Sequence, residues 1–443
     1  MKEVMKIRLV ISALFLISTM SLISHGQAVP AGIATIGAAP SPLALDGVFH
    51  YALSASEIVQ LGYYGPGDLT NSTAFSGDVA YTAKSTVRPF SLVFAGGVLL
   101  PNQTEQGVTT YENVEVSQGY ITRHWVFNLS DSFSFLPESP TTGLSGVAGV
   151  GDLGVTPIQG PGAGPAGGVL TGFGNRIANT VSGSVERQIS RATSVSGSGS
   201  WSVLHFLDAS TDGLDYTQTI GTVAVNQRFD ARSSASVSAV YSIFDYSGPQ
   251  AGPDAPNFQS RGINLTYQRL LSRTLTLSGT VGPQWVSSSN SALIPSTLNL
   301  AINTILSYSR RNTNASIFYS RGVNGGSGVI PGALSDVIGF AAGRAYGRNW
   351  VASLNGAYTR TSGLTFIGGT SSLAPANELY DTVYGGVQVT RRFSTYLSGY
   401  LSYTALNQTT NYSLGAPNVL NGISQTFGAG LTFSPRSTRL GQF

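Results

Sequence analysis

Along most of this chain, apolar and polar residues alternate one by one, and short turns interrupt the alternation at regular intervals. Most of these turns carry Arg or Lys. They fall near Lys84–Arg88, Asn128–Asp131, Ser190–Arg191, Asp230–Ser233, Ser272–Arg273, Arg310–Arg311, Arg348–Asn349 and Arg391–Arg392. In 177–189 the odd positions include Ile177, Val181, Val185 and Ile189, whereas the even ones are Ala178, Thr180, Ser182, Ser184, Glu186 and Gln188. Beyond the next turn, Val195, Trp201 and Val203 share one face, and the serines from Ser194 to Ser202 share the other. Ala235, Val237, Ala239, Tyr241 and Ile243 oppose Ser234, Ser236, Ser238 and Ser242 in the same way. Successive side chains on a strand point to opposite faces, so each segment has an apolar face and a small, polar one. The repetition from near Val48 to near Ser434 predicts antiparallel strands joined up and down.

Eighteen candidate strands emerge, at about 48–62, 72–83, 88–100, 109–127, 132–138, 175–189, 192–204, 214–229, 233–245, 258–271, 273–287, 297–309, 313–321, 335–346, 349–361, 377–391, 394–406 and 421–434. The segments 48–62, 109–127 and 132–138 are the least regular, and a count of 16 is also compatible with the pattern. A soluble sandwich has the same period. Strands of about 10–14 residues, with Ser and Thr rather than charges on the second face, favour a membrane barrel. The expected fold class is therefore all-β: a closed antiparallel up-and-down transmembrane β-barrel of about 16–18 strands. An even count puts both termini at the short-turn end, read as periplasmic, with the Gly/Asn/Pro-rich connections facing outward.

Charge and composition sharpen this picture. Lys2, Lys6 and Arg8 precede an apolar stretch, Leu9–Ile23, and Gly26-Gln27-Ala28 supplies small residues for cleavage, so 1–28 reads as a signal peptide. Without Lys2, Lys6, Arg8 and Glu3, the charge count falls from 24 Lys+Arg and 21 Asp+Glu to 21 and 20, a net of about +1. The high isoelectric point is thus no sign of nucleic-acid binding. Charged residues make up 10% of the chain, well below the roughly 25% of soluble domains. A wall facing lipid does not need them. Cysteine is absent, which excludes disulfides and thiolate metal sites. No later stretch reaches 18 apolar residues, so the membrane is expected to be crossed by strands. Residues 29–47 read as a short periplasmic segment, 48–434 as the barrel, and 435–443 as a tail or the end of the closing strand.

Aromatic residues group at two levels. Trp125, Phe229, Tyr308, Tyr346, Trp350 and Phe433 lie near the short turns, and Trp201, Trp285, Tyr319, Tyr358 and Tyr403 toward the long connections. Two such girdles are expected where amphipathic rings meet headgroups.

The signal segment, the hairpin repeat through 48–434 and the final strand GISQTFGAGLTF together resemble a bacterial outer-membrane β-barrel of the porin type. The resemblance is architectural and covers nearly all of the mature chain. It implies a passive channel for small hydrophilic solutes, seated in outer-membrane lipid and lipopolysaccharide. It also implies contact with the barrel-insertion machinery, which recognises a terminal aromatic residue, and a homo-oligomer as one assembly open to it. No cofactor and no nucleic-acid partner are implied. Phe443 ends the chain, but Pro435, Arg436 and Arg439 interrupt the strand before it, so Phe433 is the alternative closing aromatic.

The third outward loop, 139–175, is the longest and is rich in Gly and Pro. In general porins the third loop folds into the lumen and narrows it. Here Asp152 is the loop's one carboxylate, with Glu138 at its edge. A constriction, surface disorder or ligand contact, and a partner site are the alternatives for it. Together with Arg176, Glu186 and Arg344, which lie on or near polar faces, Asp152 and Glu138 form the candidate pore-lining set. Arg123, Arg261, Arg321 and Arg360 occupy strand ends, where they either snorkel to headgroups or turn inward and favour anions.

Catalytic signatures are not seen. His50, His124 and His205 are widely spaced, and no paired metal-ligand motif occurs. His205 with Asp208 is the one pair worth inspecting, and a solvated rim is its plainer reading. Gly149, Gly151 and Gly154 have the spacing of a phosphate loop but lack a following helix and a Lys. Asp208, Asp212 and Asp215 could gather around calcium or simply be solvated. Two other functions remain: an adhesive or structural barrel that presents binding loops, and a hydrophobic-substrate transporter with 29–47 as a small plug. The polar lumen argues against the second.

Overall fold

Strand closure and register organise the molecule. The computed structural model describes residues 48–62, 69–83, 85, 87–102, 108–137, 175–207, 215–247, 256–291, 293–326, 331–364, 379–410, 422–435 and 438–439. Its strands are β1 (Val48–Leu61), β2 (Leu69–Ala83), β3 (Phe90–Pro101), β4 (Thr109–Ile121), β5 (Trp125–Pro137), β6 (Asn175–Gln188), β7 (Thr193–Phe206), β8 (Asp215–Arg228) and β9 (Ser233–Ser247). They continue with β10 (Phe258–Leu270), β11 (Leu275–Ser288), β12 (Thr297–Arg310), β13 (Thr313–Gly326), β14 (Pro331–Tyr346), β15 (Trp350–Gly363), β16 (Leu379–Arg392), β17 (Leu397–Thr410) and β18 (Gly422–Phe433).

Each strand pairs antiparallel with its sequence neighbours, and β18 returns to pair with β1, from Leu53 opposite Phe433 to Leu61 opposite Gln425. The fold is therefore a closed 18-stranded up-and-down barrel. A two-residue strand, β19 (Thr438–Arg439), resumes the ladder against Phe49 and Val48. Thr438 and Arg439 thus extend the β1 ladder beyond β18.

Compounded around the ring, the registers return to β1 displaced by about 22 residues. An even displacement preserves the in–out alternation when the sheet closes; an odd one would set an apolar face against a polar one. With about 3.3 Å per residue and 4.8 Å between strands, it tilts the strands by about 40° and gives a backbone diameter of about 36 Å.

The two faces are chemically distinct. Leu53, Phe75, Val223, Leu265, Ile317, Val383 and Leu401 are among the large apolar residues exposed on the outside. Inside, hydroxyls bridge neighbouring strands: Ser54 with Thr432 (2.9 Å), Ser91 with Ser117 (2.7 Å), Ser130 with Ser182 (2.8 Å) and Thr266 with Thr280 (2.9 Å). Cross-strand pairs of this kind contribute roughly 0.2–1 kcal/mol each. Cation–π stacks mark the short-turn end: Arg187 over Trp125 (5.2 Å), Arg344 over Tyr346 (5.0 Å), Arg391 over Trp350 (5.0 Å) and Arg88 over Tyr120 (5.7 Å).

One expected turn moves. The polar run Asn128–Asp131 reads as a turn, but it lies within β5, and the reversal is at 122–124. There the Thr122 hydroxyl accepts the Trp125 N–H at 3.0 Å, while Thr122 N–H donates to the Trp125 carbonyl at 2.7 Å. The run stays extended because Phe127 and Leu129 continue the outer apolar face, both of them exposed. Asp131 shares their parity and accepts a 2.7 Å hydrogen bond from Asn179.

At Gly282 the backbone approaches so closely that a Cβ would lie 2.0 Å from the Ile263 carbonyl oxygen and 2.8 Å from Asn264 Cα. Gly282→Ala is expected to destabilise the barrel by about 1–3 kcal/mol, read as a lower temperature for the folded-to-unfolded gel-mobility shift. In the turn after β8, the Asp230 carboxylate accepts the backbone N–H groups of Arg232 (2.5 Å) and Ser233 (2.7 Å). The Arg232 hydrogen bond, first among several causes, holds its carboxyl below the ordinary range. Its stabilisation is present above the ordinary carboxylate pKa and is lost as pH falls through the lowered value. Exchange protection of the Arg232 and Ser233 amides, corrected for intrinsic rates, should fall there in the wild type and be pH-independent in Asp230→Asn.

Candidate functional site

The candidate site is the lumen. Its wall from β5 to β9 is built from the inward positions of those strands. Asn128, Ser130, Ser132 and Ser134 come from β5, Thr180, Ser182 and Ser184 from β6, and Ser194 through Ser202 from β7. Asn226 in β8 donates to both Ser194 and Ser196 at 3.2 Å, which ties the hydroxyl rows together. Such a surface offers neutral donors and acceptors at short intervals, with Glu186 as a charged group near its short-turn end.

Toward the long-loop end, the lumen side of β8 to β11 is instead aromatic and apolar. Phe244, Tyr246, Phe258, Val286 and Ile294 form a buried cluster against which Tyr216, Val323 and Leu364 pack. Phe244 stacks on Phe258 at 4.4 Å, and Tyr216 meets Tyr246 at 5.5 Å. Phe244, Tyr246 and Phe258 carry the inward parity of Ser242 and Ser260.

The cluster receives the tip of the β13–β14 hairpin. A Cβ on Gly325 would lie 2.7 Å from the Tyr216 ring, and one on Gly332, which has φ +72°, would lie 2.7 Å from the Phe258 ring. Only glycine permits that approach. The Tyr246 hydroxyl donates to the Gly325 carbonyl at 2.5 Å, and Val323 N–H donates to Gln284 Oε1 at 3.2 Å. β8 and β13 are five strands apart, about 24 Å along the wall, so the hairpin tip must lean across the lumen to reach Tyr216. Among the described residues, this hairpin is the element that narrows the outer mouth. The Gly-rich run from Gly322 to Gly332 reads in the sequence as a turn, and nothing in it marks a docking role.

The expected site residues divide. Glu186 lies in β6 opposite Val126 and Ser196, exposed on the inward face near the short-turn end. Arg176 takes its place in β6 opposite Leu136 and Phe206. Arg344 is a correction: it shares the outward parity of Ile338 and Phe340 and stacks over Tyr346. The small residues Gly339, Ala341 and Gly343 had hidden which face of β14 is polar. Glu138, Asp152 and Phe443, with all of 139–174, lie outside the described residues. Phe433 is exposed at the outer surface between Leu53 and Leu397.

Sequence reasoning passed over the lumen's deeper charges. Asp78 pairs with Ala95 across β2–β3, and Glu115 with Val93 across β3–β4, both on inward parity. Of the strand-end arginines, Arg261 stacks at 5.8 Å over the exposed Tyr241, and Arg321 bridges Asp336 at 2.6 Å on the outer surface. The inward-arginine option therefore fails for these two. His205 contacts Asp215, Asp208 lies outside the described residues, and among the described residues no group of three or more His, Asp or Glu could hold a metal ion.

No protein-family model and no curated protein matches the chain. Among solved structures it is similar to OccK2 (OpdF) of Pseudomonas aeruginosa, with 9% identity over 88% of this chain and 99% of that one, at a TM-score of 0.45. It is also similar to the P. aeruginosa outer membrane protein OpdK, with 8% identity over 89% and 99% of the two chains and a TM-score of 0.43. The P. aeruginosa siderophore receptor PirA matches with 9% identity over 88% and 81%, at a TM-score of 0.42. These likenesses are too distant to carry function across. The barrel class rests on this chain's own registers.

Tyr246→Phe leaves the Gly325 carbonyl without its buried donor, a loss of about 1–3 kcal/mol at that contact. The hairpin tip should loosen, and single-channel recordings should show a larger and noisier conductance than wild type with the barrel still folded.

Proposed function

We propose that the protein is a bacterial outer-membrane channel through which small hydrophilic solutes diffuse passively. One observation carries this reading: a closed ring of strands with an apolar exterior and a hydroxyl-lined interior. In lipid every backbone polar group must be satisfied internally, and a closed barrel is the strand solution to that demand. A ring of this strand number encloses a water-filled lumen. The basic and aromatic side chains at the short-turn end suit the headgroup zone of the periplasmic leaflet.

Transport here requires no covalent chemistry. Ser, Thr and Asn side chains exchange hydrogen bonds with a passing solute and its water, so desolvation costs little and no strong binding step slows exit. Contact with lipopolysaccharide at the outer rim, insertion through a terminal aromatic and assembly of copies in the membrane belong to the same proposal. Asp152, Glu138 and Arg176 are proposed pore-lining groups, and loop 139–175 a second constriction beside the β13–β14 hairpin. Glu186, Asp78 and Glu115 bias the field toward cations, weakly because so few charges face inward.

Refolded mature protein in planar bilayers should give steady ohmic conductance that rises when 139–174 is deleted. Absence of conductance from correctly folded, inserted protein would contradict the channel. Replacing Asp78 with Asn and Glu115 with Gln should move the reversal potential toward the anion side, by about 5–15 mV in a tenfold KCl gradient.

A further inference from the structure

The outward-facing arginines of the wall have partners, with one exception. Arg321 is bidentate on Asp336, Arg261 stacks over Tyr241, and Arg344 and Arg391 stack over Tyr346 and Trp350. Arg360, in β15, is exposed, and among the described residues it makes no ion pair, hydrogen bond or ring contact. Its register partner in β16 is Asp381. That carboxylate accepts the Tyr358 hydroxyl on Oδ1 at 2.5 Å, and its other oxygen has no partner among the described residues. Both side chains lie on the lipid side of the wall. Arg360 shares the parity of the exposed Leu354 and Tyr358, and Asp381 that of the exposed Val383 and Val387.

Their height makes the open charges costly. Arg360 stands ten residues from the Trp350 end of β15, and Asp381 eleven from the Arg392 end of β16. At about 3.3 Å per residue and a tilt of about 40°, both reach about 25–28 Å above the short-turn end. An apolar band is about 25 Å tall, so the two groups sit at its outer edge. Below them the wall is flat. Gly356 and Gly385 are register partners on the same outward parity, and Ala405 continues their row in β17. A Cβ on Gly385 would come no nearer to its surroundings than 3.5 Å, at the Asn355 carbonyl oxygen. The packing of this wall therefore does not itself demand glycine there.

We infer that a second copy of this chain packs on the β15–β16 face, about a two-fold axis along the membrane normal, with each Arg360 paired to the partner's Asp381. Copies in one membrane share an orientation, so a two-fold between them must run along the normal. An axis between β15 and β16 exchanges the two strands across the interface and sets positive charge against negative twice. The two heights differ by about one residue, or about 3 Å, within reach of an arginine side chain. An axis between β14 and β15 would instead set Arg360 against Asp336, which Arg321 and Tyr319 already hold. Small residues below the charges let two walls approach closely, the route to association where lipid supplies no hydrophobic drive. The inference rests on the membrane placement proposed above and names the face on which copies assemble.

The chain has no cysteine, so single introduced thiols report the contact. In phosphatidylcholine liposomes, Val383→Cys, outward beside the axis, should oxidise to a disulfide-linked dimer. Val223→Cys, outward in β8 on the far side of the ring, should stay monomeric. Adding Arg360→Asp or Asp381→Arg should lower the dimer yield at 383 at least about fivefold, and both together should restore it. Conductance per copy should stay within about twofold throughout, because these side chains face lipid. Equal yields at 383 and 223, or no recovery in the double exchange, would overturn the paired face and leave the channel reading standing. The other occupant is a lipopolysaccharide phosphate on Arg360. Lipopolysaccharide retained by wild type and lost from Arg360→Asp, with 383 no more reactive than 223, would overturn the pairing in its favour. Failure of the folded wild type to insert would instead remove the membrane placement, and the face with it.

Discussion

Hydrogen-bond closure of the backbone is the constraint on which everything else depends. A strand edge inside hydrocarbon leaves N–H and C=O groups unsatisfied at several kcal/mol each. Pairing β18 to β1 removes that edge around the ring, and the even displacement of the register lets every strand keep one face to lipid and one to water. The distribution of side chains follows from this. Charges are scarce because half of each strand has no water to meet, and Ser and Thr fill the inside because they hydrogen-bond across strands without filling the lumen.

The β13–β14 hairpin is where a second demand competes with closure. Its outer part gives up ladder bonds to β12 and recovers some of them from Gln284 and Tyr246. Glycine at 325 and 332 lets its tip settle on Tyr216 and Phe258. The cost is the loss of that ladder over the outer part of β13, and the return is a narrowed mouth seated on the apolar cluster.

Most of the barrel could be read from the chain. Strict alternation in 177–203 and 233–245 gives both the strands and their faces, and the basic turns separate one hairpin from the next. Reading weakened where residue types carry two meanings. Asn128–Asp131 has turn composition but strand spacing, and the outer residues Phe127 and Leu129 decide between them. In β14 the small residues at 339, 341 and 343 erase the contrast between faces, so Arg344 looked inward when it stacks on Tyr346 outside. The site was less legible still. The contacts of Gly325 with Tyr216 and of Tyr246 with Gly325 join positions far apart in sequence, and no local pattern encodes them. The early end of the β12–β13 ladder likewise shows only in the register, since both segments alternate as ordinary strands.

The central claim is that alternate residues face lipid and a water-filled lumen, and single cysteines introduced one at a time through β7 and β8 test it most directly. In protein reconstituted in bilayers, positions 196, 198, 200, 222 and 224 should react with a membrane-impermeant thiol reagent. Positions 201, 223 and 225 should resist it and be quenched by lipid-soluble probes. Uniform reactivity along both strands, or the opposite alternation, would contradict the account.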